Sequence, residues 1–205
     1  MKRMMNLFSA LTVLLLMSAT SADSGYKVGD YARDFELKSV DGSTVSLAKY
    51  TDAKGFMVIF TCNTCPYAKM YEDRIIALQN DYAPKGFPVI AINPNDPSKS
   101  PGDSFSEMKT RAQKQGFTFP YALDETQEIT RAYGATRTPH VFLLKKEGND
   151  KYKVVYIGAI DNNYKDPEAA NEKYVRAAVD ALLSGRSVST TTTKAIGCTI
   201  KWQDA

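Results

Sequence analysis

Apolar residues along this chain fall into two patterns. Short continuous runs occur at Gly55–Thr61 (GFMVIFT), Pro88–Ile92 (PVIAI) and His140–Leu144, and they predict buried strands. A fourth strand is predicted over Lys151–Gly158, joined to the third through a turn at Glu147-Gly148-Asn149-Asp150. Helical spacing appears elsewhere. Tyr67, Met70, Tyr71, Ile75, Leu78 and Tyr82 recur on one face, with Pro66 in the first turn, where its missing N–H costs little. Ser104 and Glu107 have the spacing of a capping box that opens a helix running towards Gly116. Asp124–Tyr133 reads as a short helix closed by Gly134. Asp166 is expected to cap a last helix with Pro167 at its first position, Tyr174, Val175, Ala178, Leu182 and Leu183 inside, and Gly185 at its end.

Between these elements, Tyr31–Leu47 alternates loosely around Asp41-Gly42, a hairpin signal. Asn93–Gly102 is a loop rich in Pro, Asn and Asp, and Phe117–Leu123 is extended. The order is hairpin, then strands alternating with helices, then two adjacent strands and a helix. Such an order predicts an α/β fold: a central mixed sheet flanked by helices, with an N-terminal β-hairpin extension. The 205 residues suit one medium domain, expected over 23–205, with residues 186–205 as a C-terminal tail. Ser187–Thr193 (SVSTTTT) is a polar low-complexity stretch, read as a flexible connection.

The first 22 residues read differently. Lys2 and Arg3 precede an apolar run from Leu7 to Met17, and Thr20-Ser21-Ala22 offers a cleavage site. The run is short of the roughly 20 residues of a membrane span, so a signal peptide is expected, with a periplasmic or secreted product. Membrane contact is expected only if the segment stays uncleaved. The formal charge is +3, and losing the signal removes two of those charges, which gives no reason to expect a nucleic-acid partner.

Export changes the meaning of the cysteines, because disulfides persist outside the cytoplasm. There are three, Cys62, Cys65 and Cys198, too few for a disulfide framework. Two of them sit three residues apart at a predicted strand-to-helix junction. If the helix starts at Cys62, its N–H groups and dipole favour a Cys62 thiolate, the attacking species in disulfide exchange. Cys65, one turn on, is then placed to resolve the mixed disulfide, leaving a Cys62–Cys65 disulfide. No cofactor is required; a redox partner must reset the pair.

The segment FTCNTCPYAKMYEDRIIAL, the order of elements and Thr138-Pro139 resemble the thioredoxin superfamily. VGDYARDFEL, VDGSTVSL and the ending IGCTIKW are similar to its redoxin, or peroxiredoxin-like (AhpC/TSA-type), branch, which includes membrane-associated thiol reductases. The resemblance covers nearly all of Tyr26–Gln203. It implies a thioredoxin-like fold, a cis-proline at Pro139 facing the cysteines, and substrate backbone bonds at Thr138. A peroxiredoxin site usually reads Pro-x-x-x-Thr/Ser-x-x-Cys. With its cysteine at Cys65, Val58 and Cys62 stand at the Pro and Thr/Ser positions; with it at Cys62, Gly55 and Ile59 do. The elements that activate peroxide are missing in both frames. The Gly-Pro pair of thioredoxin is replaced by Asn63-Thr64.

The function expected is therefore an exported thiol–disulfide oxidoreductase acting on protein or small-molecule disulfides or dithiols. Two alternatives come from other classes: a peroxiredoxin-like thiol peroxidase, and a copper-binding thioredoxin-fold module using Cys62, Cys65, His140 and perhaps Cys198. His140, the one histidine, either tunes the Cys62 thiolate or faces away along its strand. Cys198 is either a third redox group or a small hydrophobe packed beside Ile196 and Trp202. Glu36, Asp124 and Asp161 are candidate proton acceptors. Glu72-Asp73-Arg74 is read as the exposed face of the active-site helix, and Arg137 as part of a substrate groove or its rim.

Overall fold

The computed structural model describes residues 25–148 and 150–204. The predicted signal segment lies outside them, as does Asn149 of the predicted turn.

An eight-stranded mixed sheet organises the fold. Its strands are β1 (Tyr31–Ala32), β2 (Leu37–Ser39), β3 (Thr44–Val45), β4 (Gly55–Phe60), β5 (Val89–Asn93), β6 (Tyr121–Leu123), β8 (His140–Lys146) and β9 (Tyr152–Gly158), with β7 (Arg137–Thr138) lying outside it. They stand in the order β1-β9-β8-β4-β5-β6-β2-β3. Among the described strands of this sheet, only the β4–β5 and β5–β6 pairs are parallel; β8 returns antiparallel to β4 and pairs antiparallel with β9. The β2–β3 hairpin turns through Gly42, whose φ of 89° suits glycine, and extends the sheet beyond β6.

Every side chain of β4 is buried, as a central strand covered on both faces requires. Alternation divides them. Met57 and Ile59 join Val89 and Ala91 of β5 and Val141 and Leu143 of β8 under one layer of helices. Phe56, Val58 and Phe60 join Ile90, Ile92, Phe142 and Leu144 on the other face. Register locks this division, since Met57 pairs with Leu143 and Val89, and Val58 with Phe142 and Ile90. On the second face Tyr133 gathers Tyr26, Phe35, Phe60 and Phe142 edge-to-face around its ring.

The helices are α1 (Pro66–Tyr82), α2 (Phe105–Gln115), α3 (Glu128–Tyr133) and α4 (Tyr174–Leu183). Ser104 caps α2 by accepting from the Glu107 N–H, and Gly116 closes it at φ 64°. The inner face of α1 is Ala68, Tyr71, Glu72, Ile75, Leu78 and Tyr82, while Met70, expected inside, is half exposed.

Two expectations are corrected. Asp166 and Pro167 do not open the last helix, which starts at Tyr174 after Lys173. The Asp166 carboxylate instead accepts from the Glu168 N–H, an Asx turn, and Asn162 and Asn163 tie the loop through Glu172, Lys165 and Asp166. Local side-chain bonds here outcompete the helix that the Asp-Pro signal suggested.

The tail is also not a loose connection. Thr191 and Thr193 exchange backbone bonds with Ile157 of β9, and Thr193 Oγ1 accepts from the Ala159 N–H at 3.0 Å. Beyond it, β10 (Cys198–Thr199) pairs antiparallel with β7, and Ile200 is buried in the second core. The stretch is tied to the fold by the backbones of Thr191 and Thr193 and by the Thr193 hydroxyl.

Candidate active site

The cysteines lie where β4 ends and α1 begins. The chain does not turn helical at Cys62, as expected, but at Pro66, with Cys65 in the N-cap position at φ −71°, ψ 122°. Pro66 is the reason. A residue before proline is driven out of the α region, so Cys65 cannot be helical, while proline itself suits the first helical position. The Lys69 N–H then bonds the Cys65 carbonyl at 3.0 Å as the first turn of α1.

Both cysteines are buried, and all three in the chain are free thiols. They meet one stretch of backbone, Thr138-Pro139, whose peptide bond is cis. Cys62 Sγ lies 3.2 Å from Thr138 Oγ1, and Cys65 Sγ lies 3.2 Å from the Thr138 carbonyl oxygen. The third thiol joins them: Cys198 Sγ is 2.6 Å from Cys65 Sγ, and the Cys198 N–H donates to Cys65 Sγ at 3.4 Å. Cys198 is half-buried against the other two. Its expected neighbours Ile196 and Trp202 are elsewhere, Ile196 exposed and Trp202 under the Arg131 guanidinium.

The groups around the Cys62 and Cys65 pair act on its two thiols in opposite directions. The Cys65 thiol is drawn down to about 5, first by the Cys62 thiol beside it and then, against its burial, by the Cys198 thiol and the N–H groups of Ala68 and Cys198. The Ala68 N–H supplies the helix-terminus part of this effect. Cys62 is pushed up, first by its bond to Cys65, then by burial and the nearby Asp103 carboxylate; the Thr138 hydroxyl acts the other way. Cys198 is pushed up to about 11, mostly by burial and then by its bond to Cys65.

Asp103, which the sequence reading did not single out, organises the Asn63-Thr64 turn between the cysteines. It is fully buried. Its carboxylate accepts from the Asn63 N–H at 2.6 Å, Thr64 Oγ1 at 2.7 Å, Ser100 Oγ at 2.6 Å and Asn95 Nδ2 at 2.9 Å. Asn63 Oδ1 accepts from the buried Tyr121 hydroxyl at 3.0 Å.

The proposed proton acceptors serve elsewhere. Asp124 holds the N–H and hydroxyl of Thr130, Asp161 pairs with Arg74 at 2.6 Å and Tyr71, and Glu36 is exposed. Nor is the 72–74 run one exposed face. Glu72 is buried and bonded twice by Arg111 at 2.5 and 2.7 Å, and only Asp73 is exposed. Arg137, exposed on β7, donates to the Gly197 carbonyl at 3.4 Å, so it meets the tail.

His140 is buried, with Nδ1 accepting from the Thr136 N–H at 3.3 Å and its ring against Phe142. Burial alone lowers it to about 4 from an ordinary 6.5. It is neutral near pH 7 and supplies no positive charge to a thiolate. Its folded pKa lies below its unfolded one, so its contribution is complete above pH 6.5 and is lost as pH falls through 4. The loss should be about 3 kcal/mol, at 1.36 kcal/mol per pKa unit. Urea unfolding of wild type at pH 6.5 and pH 4 should show this loss, and His140→Asn should not share it.

The chain is similar to known proteins in sequence and in fold. Residues 28–153 match the model of the AhpC/TSA family. The thiol-disulfide oxidoreductase ResA of Geobacillus thermodenitrificans is 26% identical over 164 residues, 74% of this chain and 88% of ResA. An uncharacterized conserved protein of Geobacillus kaustophilus superposes with a TM-score of 0.80 at 38% identity, over 87% of this chain and 94% of that one. A thiol:disulfide interchange protein DsbE of Chlorobium tepidum superposes with a TM-score of 0.51 at 25% identity, over 62% and 83%. With its thioredoxin-like sheet and its thiols gathered on a cis-proline, the chain belongs to the AhpC/TSA family and is a thioredoxin-like oxidoreductase.

Proposed function

We propose that this protein exchanges disulfides through Cys62 and Cys65, with Cys65 as the attacking thiolate. The observation that carries the reading is the position of Cys65 Sγ, at the N-terminus of α1 and accepting from the Cys198 N–H. The step balances simply. Cys65 thiolate attacks one sulfur of a substrate disulfide, and the S–S bond breaks with its electron pair on the departing sulfur. Cys62 then attacks Cys65 in the mixed disulfide; its proton goes to one substrate thiolate, and the other takes up a proton from solvent. The substrate gains two electrons and ends as two thiols; the pair ends as a Cys62–Cys65 disulfide. The reverse sequence oxidises a dithiol. Thr138 and Pro139 are the residues that hold the substrate chain. The substrates are protein or small-molecule disulfides or dithiols, and a separate redox partner returns the pair to its starting state.

The charged start, apolar run and small residues before position 23 support export, with the protein working in the periplasm or outside the cell. A copper module is less well supported, because the His140 ring is engaged by the Thr136 N–H. The reduced full chain should cleave the disulfides of insulin with catalytic turnover when a dithiol is supplied. A protein that consumes hydrogen peroxide but leaves insulin untouched would contradict this reading and favour a peroxidase.

A further inference from the structure

The tail brings Cys198 to Cys65 by a built path. It is anchored upstream on β9 through Thr191 and Thr193. Downstream, the Lys201 N–H donates to Asn95 Oδ1 at 2.9 Å, while the Lys201 carbonyl accepts from the Asp96 N–H at 2.9 Å and Gln127 Nε2 at 2.8 Å. Between these anchors β10 pairs with β7 in a register that sets Cys198 opposite Thr138 and Thr199 opposite Arg137. The residue beside the cis-proline thus has its backbone occupied by the protein's own chain. Gly197 permits the approach: a Cβ there would stand 2.1 Å from the Thr138 carbonyl oxygen, so a side chain would force the strands apart. A cysteine used only as a filler needs neither this register nor a backbone N–H aimed at Cys65 Sγ.

We propose that Cys198 is a third redox thiol, which takes Cys65 into a disulfide on the cis-proline loop and releases Cys62. The proposal rests on the reading of Cys62 and Cys65 as an exchanging pair. Starting from the Cys62–Cys65 disulfide, the Cys198 sulfur attacks Cys65 Sγ. The Cys62–Cys65 bond breaks as the Cys65–Cys198 bond forms, and the proton lost by Cys198 ends on Cys62. No electrons leave the protein, so no external oxidant is needed. The oxidised state moves from a buried pair to a half-exposed sulfur, where an incoming dithiol has access. β10 holds the place on β7 that a substrate chain would take, so substrate entry and the internal exchange compete.

Peptide mapping tests this. The full chain is oxidised with oxidised glutathione, its remaining thiols are blocked with N-ethylmaleimide, and it is digested with trypsin without reduction. Residues 55–69 carry both Cys62 and Cys65, and residues 195–201 carry Cys198. Wild type should yield 55–69 joined to 195–201 alongside 55–69 closed on itself. Cys62→Ser should yield the joined species as its main disulfide. Gly197→Ala should lower the joined species at least tenfold while leaving the closed peptide. If 195–201 is recovered only as its N-ethylmaleimide adduct in wild type and in Cys62→Ser, Cys198 is not an exchange partner. Failure of the closed 55–69 peptide to form in Cys198→Ser would instead overturn the Cys62–Cys65 reading itself.

Discussion

Replacing Cys65 by serine should slow disulfide exchange by about three orders of magnitude, because catalytic groups that act as a unit are not partly replaceable. Cys65 is the sulfur on which the surrounding donors converge. The N–H groups of Ala68 and Cys198 and two neighbouring thiols all favour its thiolate. A serine hydroxyl in the same place stays protonated at working pH and is a poor nucleophile. Cys62→Ser should differ in kind. In the Cys198→Ser background it should trap a mixed disulfide on Cys65, since the attacking group survives and both thiols that could resolve it are gone. Wild-type reactivity should be flat from neutral pH down to about pH 5 and fall below it, as Cys65 takes up its proton. Stopped-flow reduction of a model disulfide, with mass spectrometry of the trapped species, checks all three outcomes. A mixed disulfide carried on Cys62 in Cys65→Ser, at near wild-type rate, would show that Cys62 attacks.

The second large effect is expected at Asp103. Its carboxylate gathers the Asn63 N–H, Thr64, Ser100 and Asn95 with no exposure to solvent. Asp103→Ala strands those donors in the interior. Each buried donor left unmade costs about 1–3 kcal/mol, and partial relaxation should leave a loss of about 4 kcal/mol. For a chain of this size that is a fall of roughly 10 °C in the melting midpoint. Asp103→Asn should lose less, keeping one acceptor oxygen. It should also bring the Cys62 thiol down, because the carboxylate is one of the groups pushing it up. Thermal unfolding and the pH profile of Cys62 alkylation in the Cys198→Ser background measure the two effects. A melting midpoint within 2 °C of wild type in Asp103→Ala would mean the carboxylate does not hold the turn.

Much of the frame was legible because its signals are local. The run GFMVIFT is a central strand, Asp41-Gly42 is a hairpin turn, and Gly116 and Gly134 end helices at positive φ. The CxxC spacing and Thr138-Pro139 were visible as residues, and the fold brings them together. What was misread depended on competition between signals or on distant partners. The helix start follows Pro66 rather than Cys62, because the constraint on a residue before proline outweighs helix propensity at Cys65. Asp103 lies 40 residues from Asn63, just after a Pro-, Asn- and Asp-rich stretch, so its burial under the turn left no local trace. The threonine run looked unstructured for the same reason: its partners are on β9.

Thiol trapping of the Cys198→Ser protein across a glutathione redox series tests the central claim most directly, since it isolates Cys62 and Cys65. The account predicts one reversible two-electron transition, with both cysteines losing their trapping label together and a disulfide joining them in the oxidised form. Two thiols that remain labelled throughout, or that are lost independently to separate glutathione adducts, would contradict it.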